Sequence, residues 1–235
     1  MHLVLNEARN VSVDYYGLDQ PSKASAVMIL PGGGYGFVSP RESAPIAEAF
    51  NEQGYQALVL NYSVAEHRGY HNALDDVMQA FEAIAAHQAD WRIDPTQVIL
   101  IGFSAGGHLA AAYASTAKTY RPQLVILGYA CILDSMNELL QLKAPSLDTL
   151  VTADNPPTFL FGTAEDGLVP VDNTLAFMTA LSRAKVPFEG HIFQFGPHGL
   201  SLGTARSADG DSEQIDPHYA TWFPRCLEWI DRQDV

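Results

Sequence analysis

The chain has 235 residues, 47% hydrophobic and 17% charged, which suits one domain with a full apolar core. Its 13 basic and 27 acidic residues give a net charge of −14. That field repels phosphate backbones and anionic lipid, which sets nucleic acid and membrane surfaces aside as partners. No run approaches the roughly 18 apolar residues needed to span a bilayer.

The N-terminal MHLVLNEARN reaches Asn6 and Glu7 before the apolar centre of a signal peptide can develop, so it reads as a strand. Further strands are predicted at VSVDYYG (11–17), AVMILP (26–31), QALVLNYS (56–63) and QVILIGFS (97–104). QLVILGYA (123–130), TFLFGT (158–163) and EGHIFQF (189–195) continue the series. Most of these runs are continuously apolar, as in a parallel sheet covered on both faces.

Helical spacing fills the intervals. SAPIAEAFNEQG (43–54) ends in Gly54, a residue suited to helix termination. ALDDVMQAFEAIAAH (73–87) sets Leu74, Val77, Met78, Phe81, Ile84 and Ala85 on one stripe. The small residues of AGGHLAAAYAST (105–116) permit close packing on a sheet. VDNTLAFMTALSRAK (171–185) and YATWFPRCLEWIDRQ (219–233) complete the set, with Pro224 kinking or restarting the last helix. The alternation predicts an α/β class: one doubly wound, mostly parallel sheet with helices on both faces, forming a single domain over 1–235. A short flap is expected about 131–157, where Leu139, Leu140 and Leu142 form an apolar patch too small for a large lid.

Function in such folds concentrates at the carboxyl ends of the strands. There Gly102-Phe103-Ser104-Ala105-Gly106 follows the strand VILI and precedes a helix. G-x-S-x-G arises by chance in roughly one chain of this length in ten, so the strand–turn–helix context carries the weight. A sharp turn there exposes the Ser104 hydroxyl, which needs a base within hydrogen-bond reach to act as a nucleophile. His198, in the Pro/Gly loop after EGHIFQF, is the candidate base, and Asp166, in the loop after TFLFG, is the carboxylate that would hold its tautomer. Glu165 is the immediate rival of Asp166. His108, one helical turn after Ser104, either lines the floor of the site or packs in the core. The order Ser, Asp, His, with gaps of 62 and 32 residues, is the one found in α/β-hydrolases.

The glycine run Pro31-Gly32-Gly33-Gly34-Tyr35-Gly36 follows a strand, and its amides can converge on an anion. No G-K-[ST] follows, which argues against a nucleotide cradle. The expected oxyanion donors are therefore the amides of Gly33 or Gly34 and of Ala105. Tyr35, Phe103, Leu168 and Leu200 adjoin these parts in the chain and are either an apolar substrate pocket or core.

Together PGGGYG (31–36), YSVAEH (62–67), ALDDV (73–77), GFSAGGHLA (102–110), PPTFLFGTAEDGLVPVDNT (156–174) and PHGLSLG (197–203) resemble the α/β-hydrolase esterases. The likeness is to small acetyl and acetylxylan-type esterases of the hormone-sensitive-lipase-like branch. It runs from about residue 24 to the C-terminus. The resemblance implies serine-dependent hydrolysis of short acyl esters, often of acetylated sugars, with no cofactor. This chain departs from the branch in carrying Pro31 where H-G-G-G has its histidine, in lacking the prolines of A-P-E-H-P, and in having no large N-terminal cap. Asp76 falls on the family's acidic helix position, and a structural role is expected for it.

The expected function is thus a serine carboxylesterase acting on short acyl esters of small molecules, acetylated oligosaccharides among them. An exopeptidase or amidase of the same fold and a non-catalytic binding module are the alternatives. No metal is expected, since no H-E-x-x-H or Cys/His ligand spacing occurs. Cys131 and Cys226 lie in apolar stretches and imply no disulfide framework, so a reducing cytoplasm is the expected compartment. Trp222, Phe223 and Trp229 fit either core packing or the interface of a homo-oligomer. The acidic loop 207–216 borders the site, meets another subunit, or is simply solvated.

Overall fold

In the computed structural model, which describes residues 1–233, the apolar runs form eight strands of one sheet. They are β1 (His2–Asn6), β2 (Val11–Tyr16), β3 (Ala26–Leu30), β4 (Gln56–Asn61), β5 (Val98–Phe103), β6 (Leu124–Gly128), β7 (Thr158–Thr163) and β8 (Phe188–Phe193). Their spatial order is β1-β2-β4-β3-β5-β6-β7-β8. β3 through β8 run parallel, while β1 and β2 form an antiparallel extension that joins the sheet at β4. The expected doubly wound, mostly parallel sheet is the one observed.

The helices are α1 (Ala44–Glu52), α2 (Tyr70–Ala86), α3 (Gln88–Trp91), α4 (Ala105–Thr116), α5 (Asn137–Leu140), α6 (Asp172–Ala184) and α7 (Trp222–Asp231). Alternation along each strand divides the core in two. Met28, Leu30, Leu58, Leu60 and Leu100 pack with α2, α4 and α6. Val27, Ile29, Val59, Ile99 and Ile101 pack with α1 and α7.

Three local expectations are refined. The buried face of α2 is Ala73, Asp76, Val77, Ala80, Phe81 and Ile84, and Met78 points outward, 37% exposed. Small Ala73 and Ala80 let α2 approach the sheet side, and Asp76 is drawn inward by Arg9 and the Ser63 amide. Of the two expected effects of Pro224, the restart is the one that fits. The chain turns through a 3-10 segment at Tyr219–Thr221 and α7 starts at Trp222, so Pro224 lies in the first turn, where amides lack intrahelical acceptors. Within 131–157, Leu140, Leu142 and Leu147 are buried and join the core beside α4, while Leu139 stays 39% exposed.

The topology fixes where chemistry can occur. From β3 the chain moves to β4 on one side, then returns to β5 on the other side of β3. This reversal opens a crevice at the carboxyl ends of β3 and β5. The loop after β3 is Gly32–Gly34, and the residue after β5 is Ser104.

Candidate active site

The turn from β5 into α4 is made possible by its glycines. A Cβ on Gly102 would lie 2.2 Å from the Gly106 carbonyl, and one on Gly106 would lie 2.0 Å from the Leu30 carbonyl. Between them Ser104 adopts φ 53°, ψ −115°, a conformation that costs an L-residue roughly 1–3 kcal/mol. Its amide donates to the Gly128 carbonyl at 2.9 Å, and its carbonyl accepts from His108 at 2.9 Å and Cys131 at 3.2 Å. The side chain is thereby held at the mouth of the crevice, with the whole residue 7% exposed.

Three side chains meet there from three strand ends. His198 Nε2 lies 2.9 Å from Ser104 Oγ, and His198 Nδ1 lies 2.6 Å from Asp166 Oδ2. Asp166 Oδ1 accepts from the amides of Leu168 (2.9 Å) and Val169 (2.8 Å), so the carboxylate is pinned by its own loop. Glu165 is exposed to solvent and does not bond to His198. The Tyr129 ring packs against the imidazole in a T-shaped contact, with centroids 4.9 Å apart.

The glycine loop completes the site. A Cβ on Gly32 would stand 3.1 Å from Ser104 Cβ, so this loop abuts the nucleophile directly. The amides of Gly33 and Gly34 donate to no acceptor among the described residues. Ala105 is the first residue of α4, where the amide has no intrahelical partner. Unpartnered amides thus lie in the loop that abuts Ser104 and at the residue that follows it, where the positive end of α4 favours negative charge.

Of the expected pocket residues, only Leu168 presents surface, at 49% exposure. Tyr35 and Phe103 are 0% exposed and Leu200 is 1% exposed. Phe103 follows Ile99 and Ile101 on the same side of β5 and packs against Trp222 and Phe161. The Tyr35 hydroxyl turns inward to His108 Nδ1 at 2.9 Å. These three are core, because adjacency in the chain does not set side-chain direction. Burial pushes the His108 pKa down from 6.5 to about 4. An aromatic that the sequence did not flag, Phe37, is 58% exposed, and its ring edge lies 3.3 Å from where a Gly33 Cβ would sit.

Two polar residues beneath the site also escaped notice. Glu42 is 4% exposed; its Oε2 accepts from the Gly32 amide at 2.7 Å and its Oε1 from the Tyr129 hydroxyl at 2.5 Å. Burial, then Glu42, raises the Tyr129 phenol well above its ordinary value, which keeps it a donor. Among the described residues no group of three or more His, Cys, Asp or Glu side chains is placed to hold a metal ion. Among the described residues, no helix is long and apolar enough to cross a membrane. Loop 207–216 is tied to the segment after the glycine loop, since Arg41 donates to the Ser207 carbonyl at 2.7 Å and to Gln214 Oε1 at 2.8 Å.

Residues 14–126 match the family described as BD-FAE. MGS-M1, an α/β hydrolase enzyme from a Medee basin deep-sea metagenome library, superposes with a TM-score of 0.91 at 35% identity, covering 99% of this chain and 96% of that one. A sugar hydrolase, YeeB, from Lactococcus lactis gives a TM-score of 0.89 at 36% identity, with 99% and 97% covered. The acetylxylan esterase of Xylanibacter ruminicola is 30% identical over 211 residues, 80% of this chain and 43% of that protein. The chain spans about a third to a half of the length of the curated relatives it matches. With the sheet, the elbow and the near full-length likeness to a hydrolase of 35% identity in place, this chain belongs to the α/β-hydrolase family and is similar to its acetylxylan-type esterases.

Proposed function

We propose that the chain forms one catalytic unit that hydrolyses short acyl esters through an acyl-enzyme on Ser104. The single observation that carries this reading is the 2.9 Å and 2.6 Å relay from Ser104 through His198 to Asp166, set beside unpartnered amides. Ser104 Oγ attacks the ester carbonyl and its proton passes to His198 Nε2, while Asp166 stabilises the imidazolium. The carbonyl oxygen becomes an oxyanion that accepts from the amides of Gly33, Gly34 and Ala105. Collapse breaks the bond to the alcohol, which leaves with the proton from His198. Water, deprotonated by the same imidazole, then attacks the acyl carbonyl, and the acid departs as Ser104 recovers its proton. Each step uses only the chain's own groups and water.

The likeness to an acetylxylan esterase supports acetyl groups on oligosaccharides as the substrate class. Phe37 and Leu168, the exposed apolar residues beside the oxyanion loop and the Asp166 loop, offer surface for the parts flanking the ester. Two free, buried cysteines support a reducing compartment, the cytoplasm.

An aryl-ester series from acetate to octanoate, run with the chain and with Ser104→Ala, tests the proposal. The expected outcome is a maximum at acetate and a loss of about 1,000-fold or more in kcat in the variant. Cleavage of aminoacyl anilides in preference to aryl acetates would transfer the chain to the peptidases.

A further inference from the structure

Glu42 sits where a carboxylate is expensive to keep. The residue is 4% exposed, and taking a carboxylate out of water carries a penalty that hydrogen bonds must offset. The neighbouring guanidinium does not help, because Arg41 points to Ser207 and Gln214. Both oxygens instead accept from groups of the active-site loops.

One bond goes to each side of the site. Oε2 holds the Gly32 amide, and Gly32 is wedged against both this oxygen, 2.7 Å from its Cβ direction, and Ser104 Cβ, 3.1 Å away. Oε1 accepts a hydrogen bond from the Tyr129 hydroxyl. The same hydroxyl accepts from the Ser201 amide at 3.1 Å, three residues beyond His198, and the Tyr129 ring backs the imidazole. Ser201 is clamped again by its hydroxyl on the Arg41 carbonyl (2.8 Å) and by Trp222 Nε1 on its own carbonyl (2.9 Å). Its φ of 55° is thus fixed from three directions.

A negative charge close to a forming oxyanion opposes it, so what Glu42 offers the site is its two hydrogen bonds, one to each loop. We infer that Glu42 is a positioning residue, a buried strut that through Gly32 sets the oxyanion loop and through Tyr129 sets the loop carrying His198. This rests on the esterase reading above and extends it to a group that touches neither substrate nor the reacting atoms.

The test is aryl acetate kinetics for the wild type, Glu42→Gln, Tyr129→Phe and the double variant, with competent sites counted by phosphonate titration. Glutamine keeps one acceptor but places an NH₂ group opposite a phenol that must donate. The expected result is a fall in kcat per competent site of about 10- to 100-fold in Glu42→Gln, with KM within about threefold. Affinity for a trifluoromethyl ketone should fall by the same factor as kcat/KM. The double variant should lose little more than the worse single one, because both remove the same strut. Unchanged kcat per competent site, or a rise in KM alone, would overturn the inference while leaving the esterase intact. If Glu42→Gln does not fold, Tyr129→Phe alone decides, by the same split between kcat and KM. A wild-type chain that neither cleaves aryl acetate nor takes up phosphonate would overturn the esterase reading and this inference with it.

Discussion

His108 shows how a residue beside the nucleophile acquires a structural duty. Its imidazole is 2% exposed, 2.9 Å from the Tyr35 hydroxyl and edge-on to Tyr70 at 6.0 Å. Burial lowers its pKa from 6.5 to about 4, so the unfolded chain binds the extra proton first. Stability from this group is complete above about pH 6.5 and is lost as pH falls toward 4, by about 3 kcal/mol in all. Urea titrations of the wild type and His108→Gln between pH 7 and pH 4 should converge by that amount, and parallel pH profiles would refute the assignment. Ser104, Asp166 and His198 were each legible because a local signal marked them: an elbow, a carboxylate after a strand, a histidine in a Pro/Gly loop. Glu42 had none, since P-R-E-S reads as an ordinary turn and only the tertiary fold buries it. Tyr35, Phe103 and Leu200 misled for the converse reason, being next to site residues in the chain and turned away from them in space.

At the scale of elements, the antiparallel β1–β2 extension is locked to α2 by one charged cluster. Arg9 follows β1 and bonds Asp75 (2.7 Å) and Asp76 (2.6 Å), and the other oxygen of Asp76 accepts from the Ser63 amide beyond β4 (2.8 Å). Asp76 is fully buried, as befits the structural role expected of it. Removing one partner of a buried pair costs about 3–5 kcal/mol. Asp76→Ala should fall near the lower end, because Arg9 is partly exposed and keeps Asp75. Equilibrium urea unfolding checks this, and kcat of the folded fraction should not change. A loss under about 1 kcal/mol would mean the cluster holds nothing. The strands themselves were legible from apolar runs, and their ends agree to within a few residues. The face of α2 was legible at Val77, Phe81 and Ile84 but not at Asp76, since a hydrophobic stripe cannot anticipate that an aspartate will be pulled inward.

For the molecule as a whole, position follows from connectivity. The reversal of strand order at β3 brings the glycine loop after β3 next to the turn at Ser104 after β5, at the carboxyl ends of two parallel neighbours. The fold class was legible in strand–helix alternation, but the pairing of β2 with β4 was not, because no local pattern encodes which distant strand is a neighbour. The two cores, one per face, make the sheet a rigid base, and rigidity is what a relay held at 2.9 Å and 2.6 Å requires. The most direct test of the central claim is reaction of the chain with an aryl phosphonate, followed by peptide mass mapping and residual esterase activity. The account predicts a single adduct, on the peptide carrying Ser104, with activity falling in proportion to labelling. Full activity after complete labelling, or an adduct confined to another residue, would contradict it.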